Sequence, residues 1–493
     1  MLRTTRIILA LLTIVAATLI FVDFSGSVHP WIGWVAKIQF LPAVLSLNLV
    51  VMIALVALTL ICGRVYCSVI CPLGILQDGI ARVGRLGRKL PYSYSPALKW
   101  IRFAFLAVMI LAITGGVSVV VALLAPYSTF GRIVASVVGP LWRMGNNELA
   151  GIAANNDSYM FAATELAPIP WAITAAAVAS LIIIGVLAWR NGRTYCNTVC
   201  PVGTVLGYLA KFSFLAPVID TSKCVNCGVC ARKCKASCID SKHHAIDYTR
   251  CVACMDCIGN CSHHAISYTR RTSAAAHEPN EAADGASRRQ FIATSALMAG
   301  GALAEAADKR VDGGLAVIAA KKAPVRQRHI VPPGAVGHSN LANHCTACQL
   351  CVTVCPSGVL QPSTDLGSFM QPHSSYENGY CRPECNKCSE VCPAGAILPI
   401  SLDDKVSTQI GHAVWVKENC VVLTDGVKCG NCARHCPVHA ITMVASDPSN
   451  PDSPLIPVVN EERCIGCGAC ENLCPARPFS AIYVEGHERH RTV

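Results

Sequence analysis

Residues 224–234 read Cys224-Val225-Asn226-Cys227-Gly228-Val229-Cys230-Ala231-Arg232-Lys233-Cys234, and residues 251–261 repeat the spacing as Cys251-x-x-Cys254-x-x-Cys257-x-x-x-Cys261. Three thiolates so close together grip one face of an iron–sulfur cube, and the fourth ligand comes from the other run because the chain then turns away. The spacing assigns Cys224, Cys227, Cys230 and Cys261 to one [4Fe–4S] cluster, and Cys251, Cys254, Cys257 and Cys234 to another. Tetrahedral zinc favours two separated cysteine pairs over a triplet plus one, so zinc fits poorly.

This is the spacing of a bacterial two-cluster ferredoxin. The matching segments His243-His244-Ala245-Ile246-Asp247-Tyr248 and His263-His264-Ala265-Ile266-Ser267-Tyr268 follow the two runs and read as strands of an α+β ferredoxin-like domain. The paired histidines read as surface residues. Two positions depart from the pattern. Lys235 and Ser262 stand where a proline usually follows the fourth cysteine, and Cys238 is a spare thiol beside the first run that could substitute as a ligand.

Further along, four more runs appear. They are Cys345, Cys348, Cys351, Cys355; Cys381, Cys385, Cys388, Cys392; Cys420, Cys429, Cys432, Cys436; and Cys464, Cys467, Cys470, Cys474, each followed by proline. Sixteen thiols in four such runs imply four cubane clusters and, with the first pair, six in the chain. Which fourth cysteine serves which cluster is not legible from order alone. Four clusters in one small domain form a wire for electrons.

The composition points to a membrane. Hydrophobic residues make up 53% of the 493 and charged ones 14%, too apolar for an ordinary soluble protein. The net charge of +11 forms no basic stripe interleaved with aromatics, so nucleic acid is not an expected partner. Thirty cysteines would suggest disulfides in a secreted chain, but nearly all fall in metal-site spacing, and no Cys-x-x-Cys-His marks covalent haem. Apolar runs at Ile7–Phe21, Leu41–Ile61, Trp100–Leu124 and Ile169–Trp189 predict an α-helical four-span bundle. Arg64, Arg82, Arg85, Arg88, Lys89 and Lys99 against Asp78 place the loop after the second span in the cytoplasm, and Arg190, Arg193, Lys211 and Lys223 place the segment after the fourth there too.

A repeat sits on this frame. Gly63-Arg64-Val65-Tyr66-Cys67-Ser68-Val69-Ile70-Cys71-Pro72-Leu73-Gly74 matches Gly192-Arg193-Thr194-Tyr195-Cys196-Asn197-Thr198-Val199-Cys200-Pro201-Val202-Gly203. Cys67, Cys71, Cys196 and Cys200 are thiolates for a metal site, an additional iron or iron–sulfur centre, or they form redox disulfides. The alternative is that Gly, Tyr and Pro merely shape the exit from each span. Cys62 belongs to the first copy only and is unassigned. His29, Asp23 and Glu165 lie in loops where a quinol could give up protons, but each reads more simply as an ordinary loop residue.

Residues 270–286 are polar and aperiodic, a linker. Ser287-Arg288-Arg289-Gln290-Phe291-Ile292, then an apolar run ending Ala302-Leu303-Ala304, reads as an internal twin-arginine export signal. Sixteen thiols threaded unfolded into an oxidising compartment would form disulfides, which gives export of a folded, loaded domain its physical reason. The expected domains are 1–210 (four-span membrane part), 211–272 (cytoplasmic two-cluster ferredoxin), 273–286 (linker), 287–306 (signal or anchor) and 307–493 (periplasmic four-cluster domain).

On these motifs the chain resembles two families joined. Residues 1 to about 272 resemble NapH-type membrane subunits, and 287–493 resemble NapG-type twin-arginine ferredoxins. The resemblance implies a quinol dehydrogenase component of the bacterial inner membrane, passing electrons from quinol to a periplasmic reductase or a cytochrome c partner in anaerobic respiration. It implies an electron-transfer component rather than a stand-alone enzyme. The membrane motif is also similar to that of NosR-type and CcoG-type proteins, so copper reduction or assembly at Cys67, Cys71, Cys196 and Cys200 is an alternative. A cytoplasmic iron–sulfur hub with a vestigial signal is another.

Overall fold

The computed structural model describes residues 2–86, 91–156, 163–164, 169–271, 311–312, 316–317, 319–450 and 452–493. The twin-arginine segment and the linker at 273–286 lie outside them, as does Glu165.

The N-terminal helical part is one arrangement of helices used twice. In the first copy, α1 (Leu2–Val22) is followed by the short helices α2 (His29–Ile32), α3 (Trp34–Lys37) and α4 (Phe40–Leu45), then α5 (Leu49–Cys62), α6 (Val65–Val69) and α7 (Pro72–Leu86). In the second, α8 (Lys99–Thr114), α9 (Ser118–Leu124), α10 (Pro126–Ile133), a π-helical turn at Val134–Val138 and α11 (Gly139–Ala154) precede α12 (Trp171–Asn191), α13 (Thr194–Thr198) and α14 (Pro201–Ala210). Among the described residues, α1 and α12 are each long and apolar enough to cross a membrane. Taken as one bent unit, α9 and the helix after it would be a third, with a 79° turn between them.

The expected spans at Leu41–Ile61 and Trp100–Leu124 are not continuous helices. Leu47 at φ 52° and Asn48, whose side chain caps α5 by accepting from the Val51 N–H (3.2 Å), separate α4 from α5. Gly115 and Gly116, the latter at φ 69°, separate α8 from α9. Broken helices are as apolar as whole ones, so a hydropathy window reads through the break. Irregular backbone at membrane depth is tolerated where protein covers it and supplies partners. The repeat tyrosines serve two other helix ends, the start of α4 and the end of α9. Tyr66 donates its hydroxyl hydrogen to Gln39 Oε1 (3.0 Å) and accepts the Phe40 N–H (3.0 Å), while the Tyr195 hydroxyl donates to the Leu124 carbonyl (3.4 Å).

The first ferredoxin module follows α14. Strand β1 (Leu215–Ile219) pairs antiparallel with the last strand of the module, and β2 (Ile239–Asp240) pairs with β3 (Ala245–Ile246). That last strand is β4 (Ile266–Arg270), in register Ile219↔Ile266. The first and last strands thus close a small pseudo-symmetric unit around the two cysteine runs. The predicted surface histidines His243, His263 and His264 are exposed, and His244 is partly covered.

After the two-residue strands β5 (Val311–Asp312) and β6 (Ala316–Val317), the second module carries β7 (Leu360–Pro362) against β8 (Pro372–Ser374). Strand β9 (Thr408–Trp415) lies beyond them, and β10 (Ile441–Ala445) pairs with β11 (Leu455–Val459). The C-terminal strand β12 (Ile482–Thr492) returns to pair with β9, with a bulge between Gly486 and Arg491.

The two modules sit at opposite ends of α1. At its N-terminal end Arg3 Nε donates to Asp256 Oδ1 of the first module (3.0 Å), and Arg6 Nη1 donates to Asp78 Oδ2 of α7 (3.0 Å). At the other end Phe21 packs on Tyr127 and Phe130, with ring centroids 5.5 and 6.3 Å apart. There Lys387 of the second module donates to the Ser25 carbonyl (2.8 Å). A Cβ on Gly131 of α10 would lie 2.5 Å from Phe21 Cζ and 2.7 Å from the Cys348 carbonyl oxygen, so only glycine allows this approach. The 21 residues of α1 cover about 31 Å at 1.5 Å per residue, roughly the hydrocarbon thickness of a bilayer.

Candidate iron–sulfur centres and the membrane cysteine tetrad

The cysteine runs fold into compact groups. Cys251, Cys254 and Cys257 line one cavity together with Cys234 of the other run. Cys238 lines it as well, its sulfur 3.5 Å from that of Cys234, so the spare thiol stands beside the fourth position. Cys224, Cys227 and Cys230 gather at the outer end of the module, where Cys230 and Cys261 pack on the same small core and Cys227 is exposed. Burial pushes the Cys254 thiol up to about 12.

In the second module the fourth cysteines are exchanged between neighbouring runs. Cys345, Cys348 and Cys351 share a cavity with Cys392, not with Cys355. Cys355 instead lies within electrostatic reach of Cys381 and Cys388. Likewise Cys420, Cys429 and Cys432 share a cavity with Cys474, and Cys464 and Cys467 face Cys436. The two pairs of runs are joined where the Cys381 N–H donates to the Cys467 carbonyl (2.9 Å). The spatial order is therefore first run, second run, fourth run, third run. The first lies against the N-terminal helices and the third is the far end. Replacing Cys474 with Ala is expected to abolish the same EPR signal as replacing Cys429, while Cys436→Ala matches Cys464→Ala. Loss of one signal in both Cys474→Ala and Cys464→Ala would refute the exchange.

The two helical repeats bring Cys67, Cys71, Cys196 and Cys200 into one buried group, each 4% exposed. Each repeat braces the other. Arg64 donates to the Cys196 carbonyl (3.3 Å) and to Asn197 Oδ1 (2.9 Å), and Arg193 donates to the Cys67 carbonyl (2.6 Å). Gly74 and Gly203 close the motif because a Cβ at either would strike the cysteine carbonyl of its own repeat and the guanidinium of the other. Every sulfur receives a donor: Cys67 from Arg64 (3.7 Å), Cys196 from Gln77 (3.2 Å), Cys200 from the Gly203 N–H (3.4 Å) and Cys71 from the Gly74 N–H.

Among the described residues no three His, Cys, Asp or Glu side chains stand close enough to hold one metal ion. That applies to the ferredoxin runs as much as to the tetrad, and an iron–sulfide cage sets its thiolates farther apart than a single ion does.

A docking network joins tetrad and first module. Asp78, its side chain 10% exposed, accepts from Arg193 Nε (2.6 Å) and pairs with Arg6 (3.0 Å) and Lys235 Nζ (2.8 Å). Burial would raise this carboxyl, but Arg193 and Lys235 hold it well below the usual carboxylate range. Lys235 also reaches Asp256 (3.1 Å), so the residue that replaces the customary proline is the module's anchor. Asp78 stood in the sequence as the one acid among six cations, a signal that would have singled it out. Arg64 and Arg102 both donate to the Thr249 carbonyl (3.1 Å each), two residues before Cys251. Beside this network a cavity of about 370 Å³ has an apolar flank of Ile7, Ala10, Leu11 and Ile75 and a polar end of Arg6, Asp78, Lys235 and Asp256.

Of the loop residues weighed as proton acceptors, Asp23 caps its own turn, accepting from Ser25 Oγ and the N–H groups of Gly26, Val28 and His29. Burial lowers the His29 imidazole.

Paired cysteine runs on small antiparallel units, fused to apolar helices, define an iron–sulfur electron-transfer protein. The chain belongs to the family of ferredoxin-type [4Fe–4S] electron-transfer proteins. It is 33% identical over 196 residues to the ferredoxin-type protein NapG of Escherichia coli, covering 38% of this chain and 80% of that one. It is 30% identical over 172 residues to the methylamine utilization ferredoxin-type protein MauM of Paracoccus denitrificans, covering 32% and 73%. With the ferredoxin-type protein NapF of E. coli it shares 27% over 160 residues, covering 32% and 87%. The model of a 4Fe-4S dicluster domain matches residues 427–477, and that of a 4Fe-4S binding domain matches twice, at 46–91 and 173–218. No solved structure matches.

Proposed function

We propose that the chain is the membrane component of a quinol-oxidising respiratory circuit, holding six [4Fe–4S] clusters and delivering electrons to a reductase or cytochrome c outside the cytoplasm. In this reading residues 1–210 anchor it in the inner membrane through four spans, two of them broken. Residues 211–272 face the cytoplasm, and Arg288–Arg289 direct 307–493 to the periplasm. The supporting observation is the placement of the two ferredoxin modules at opposite ends of α1, about 31 Å apart along the helix. The basic loops after α5 and α12 orient the first module inward by the positive-inside rule. The cavity that Lys235 and Asp256 of the first module share with α1 and α7, apolar on one flank and charged at its end, suits an amphipathic ring such as a quinol headgroup. There Asp78 and Asp256 remain ionised, and burial of the Asp256 carboxyl is outweighed by Lys235.

Isolated membranes given a reduced quinone analogue are expected to show EPR signals of reduced clusters. Unreduced clusters under those conditions end the quinol reading. A reporter active only outside the cytoplasm, fused after Val493, tests the sidedness. Activity abolished by Arg288→Lys/Arg289→Lys supports export, and silence in both chains points to a cytoplasmic hub.

A further inference from the structure

The tetrad lies between the two modules. A single apolar core runs from Val252 and Cys254 of the first module through Cys67, Cys71, Cys196 and Cys200 to Cys345 and Cys351 of the second. On one side Arg64 ties the tetrad to Thr249, next to the Cys251 run. On the other, the buried Arg132 of α10 lies within electrostatic reach of both Tyr195, beside the tetrad, and Cys348. Tyr127 faces Cys348 and Cys392.

The charge of this region is out of balance in the protein alone. Arg64 is 0% exposed, and its partners are the neutral acceptors Asn197, Thr249 and Cys196, plus the Cys67 sulfur. Among the described residues no carboxylate accepts a hydrogen bond from it. Arg132 is 1% exposed and, among the described residues, donates only to the Ala122 carbonyl and Thr129 Oγ1. Asp78 and Asp256 offer two negative charges to four cations, Arg3, Arg6, Arg193 and Lys235. A buried cation without a counter-charge costs several kcal/mol. Neutral thiols, or two disulfides, would leave that cost standing. Four thiolates on an iron–sulfur core would offset it, with an N–H donor already aimed at each sulfur. Neither matched segment holds four cysteines by itself: 46–91 has Cys62, Cys67 and Cys71, and 173–218 has Cys196 and Cys200.

We propose that the chain conducts electrons through the thickness of the membrane, with Cys67, Cys71, Cys196 and Cys200 together holding one iron–sulfur centre that links the ferredoxin module at one end of α1 to the module at the other. This rests on the reading of the chain as an electron carrier but not on quinol as the donor. Such a centre supplies one-electron storage with no proton to move, which suits a dry interior. The circuit then runs from the outer Cys224 group through the Cys251 group, the tetrad and the Cys345 group to the Cys420 group. Each transit moves one electron from a reductant on one side to an oxidant on the other, and the net charge must be returned by another route.

Two measurements on the anaerobically purified full chain test this. The first is iron and sulfide per chain with Mössbauer spectra. The six four-cysteine groups account for about 24 iron atoms, and an excess over that is expected. In Cys67→Ala/Cys196→Ala the excess disappears and the spectra of the remaining clusters persist, while Cys62→Ala matches the parent. Iron that does not exceed the six groups in the parent overturns the proposal whether or not the double variant folds. The second uses sealed, quinone-free vesicles with dithionite outside, ferricyanide inside and an ionophore to discharge the membrane. The parent chain is expected to bleach the ferricyanide at least 100-fold faster than the double variant. Equal rates overturn the relay. Bleaching in vesicles combined with clusters that no quinol analogue reduces would keep the conduit and discard the quinol donor.

Discussion

Asp78→Asn is expected to loosen the first ferredoxin module from the membrane helices and to destabilise the helical part by about 3–5 kcal/mol, the usual cost of removing one partner from a buried ion pair. The carboxylate holds Arg193, whose side chain is fully covered, together with Arg6 of α1 and Lys235 of the module. Asn keeps the shape and one acceptor but removes the charge, leaving Arg193 and Arg6 without their carboxylate and Lys235 with Asp256 alone. The readout is cleavage of 211–271 by added protease and the thermal midpoint of the detergent-solubilised chain. A change of under 1 kcal/mol would mean that solvent already screens the cluster. Because the folded carboxyl lies below its unfolded value near 3.9, its stabilisation is complete above about pH 4 and is lost only as pH falls through the folded value. Between pH 5 and 8 docking of the parent chain should therefore not vary on account of Asp78.

Gly203→Ala and Gly74→Ala should each destabilise by about 1–3 kcal/mol, the range for overpacking a close-packed site. On an exposed helix the sign would be opposite, since Ala exceeds Gly by about 1 kcal/mol. Here the new methyl meets a cysteine carbonyl and an arginine of the opposite repeat, and neither can retreat without opening the tetrad. The decisive observation is specific: lower thermal stability together with changed tetrad spectra while the signals of both ferredoxin modules are kept. Ala variants as stable as the parent would show that the backbone yields and that the glycines are not required by packing.

The cysteine runs and the two long helices α1 and α12 were legible because each is a local pattern, a fixed spacing or an unbroken apolar stretch. The breaks at Leu47 and Gly115–Gly116 were not, since the residues on both sides are equally apolar and the turns rest on local backbone bonds, Asn48 N–H to the Ala43 carbonyl and Val117 N–H to the Ala112 carbonyl. Sequence order also hid the exchange of Cys355 with Cys392 and of Cys436 with Cys474, which depends on how two runs face each other. The arginines of the repeat were visible as part of a motif. Their role was not, because Arg64 serves Cys196 and Arg193 serves Cys67, partners 132 and 126 positions away in the chain. Lys235 looked like a defect in a cluster motif and is an anchor instead.

That reciprocal brace sets a schedule for biosynthesis. When the ribosome has completed the first repeat, Cys67 and Gly74 already exist but the guanidinium that seats them does not, and Arg64 has no carbonyl to hold. Nothing in the first half can be finished until Arg193 emerges and α12 has inserted. Closure of the helical part is thus a single late event that joins both halves at once, and a chain stalled between the repeats would be left with Arg64 lacking the carbonyls of Cys196 and Thr249.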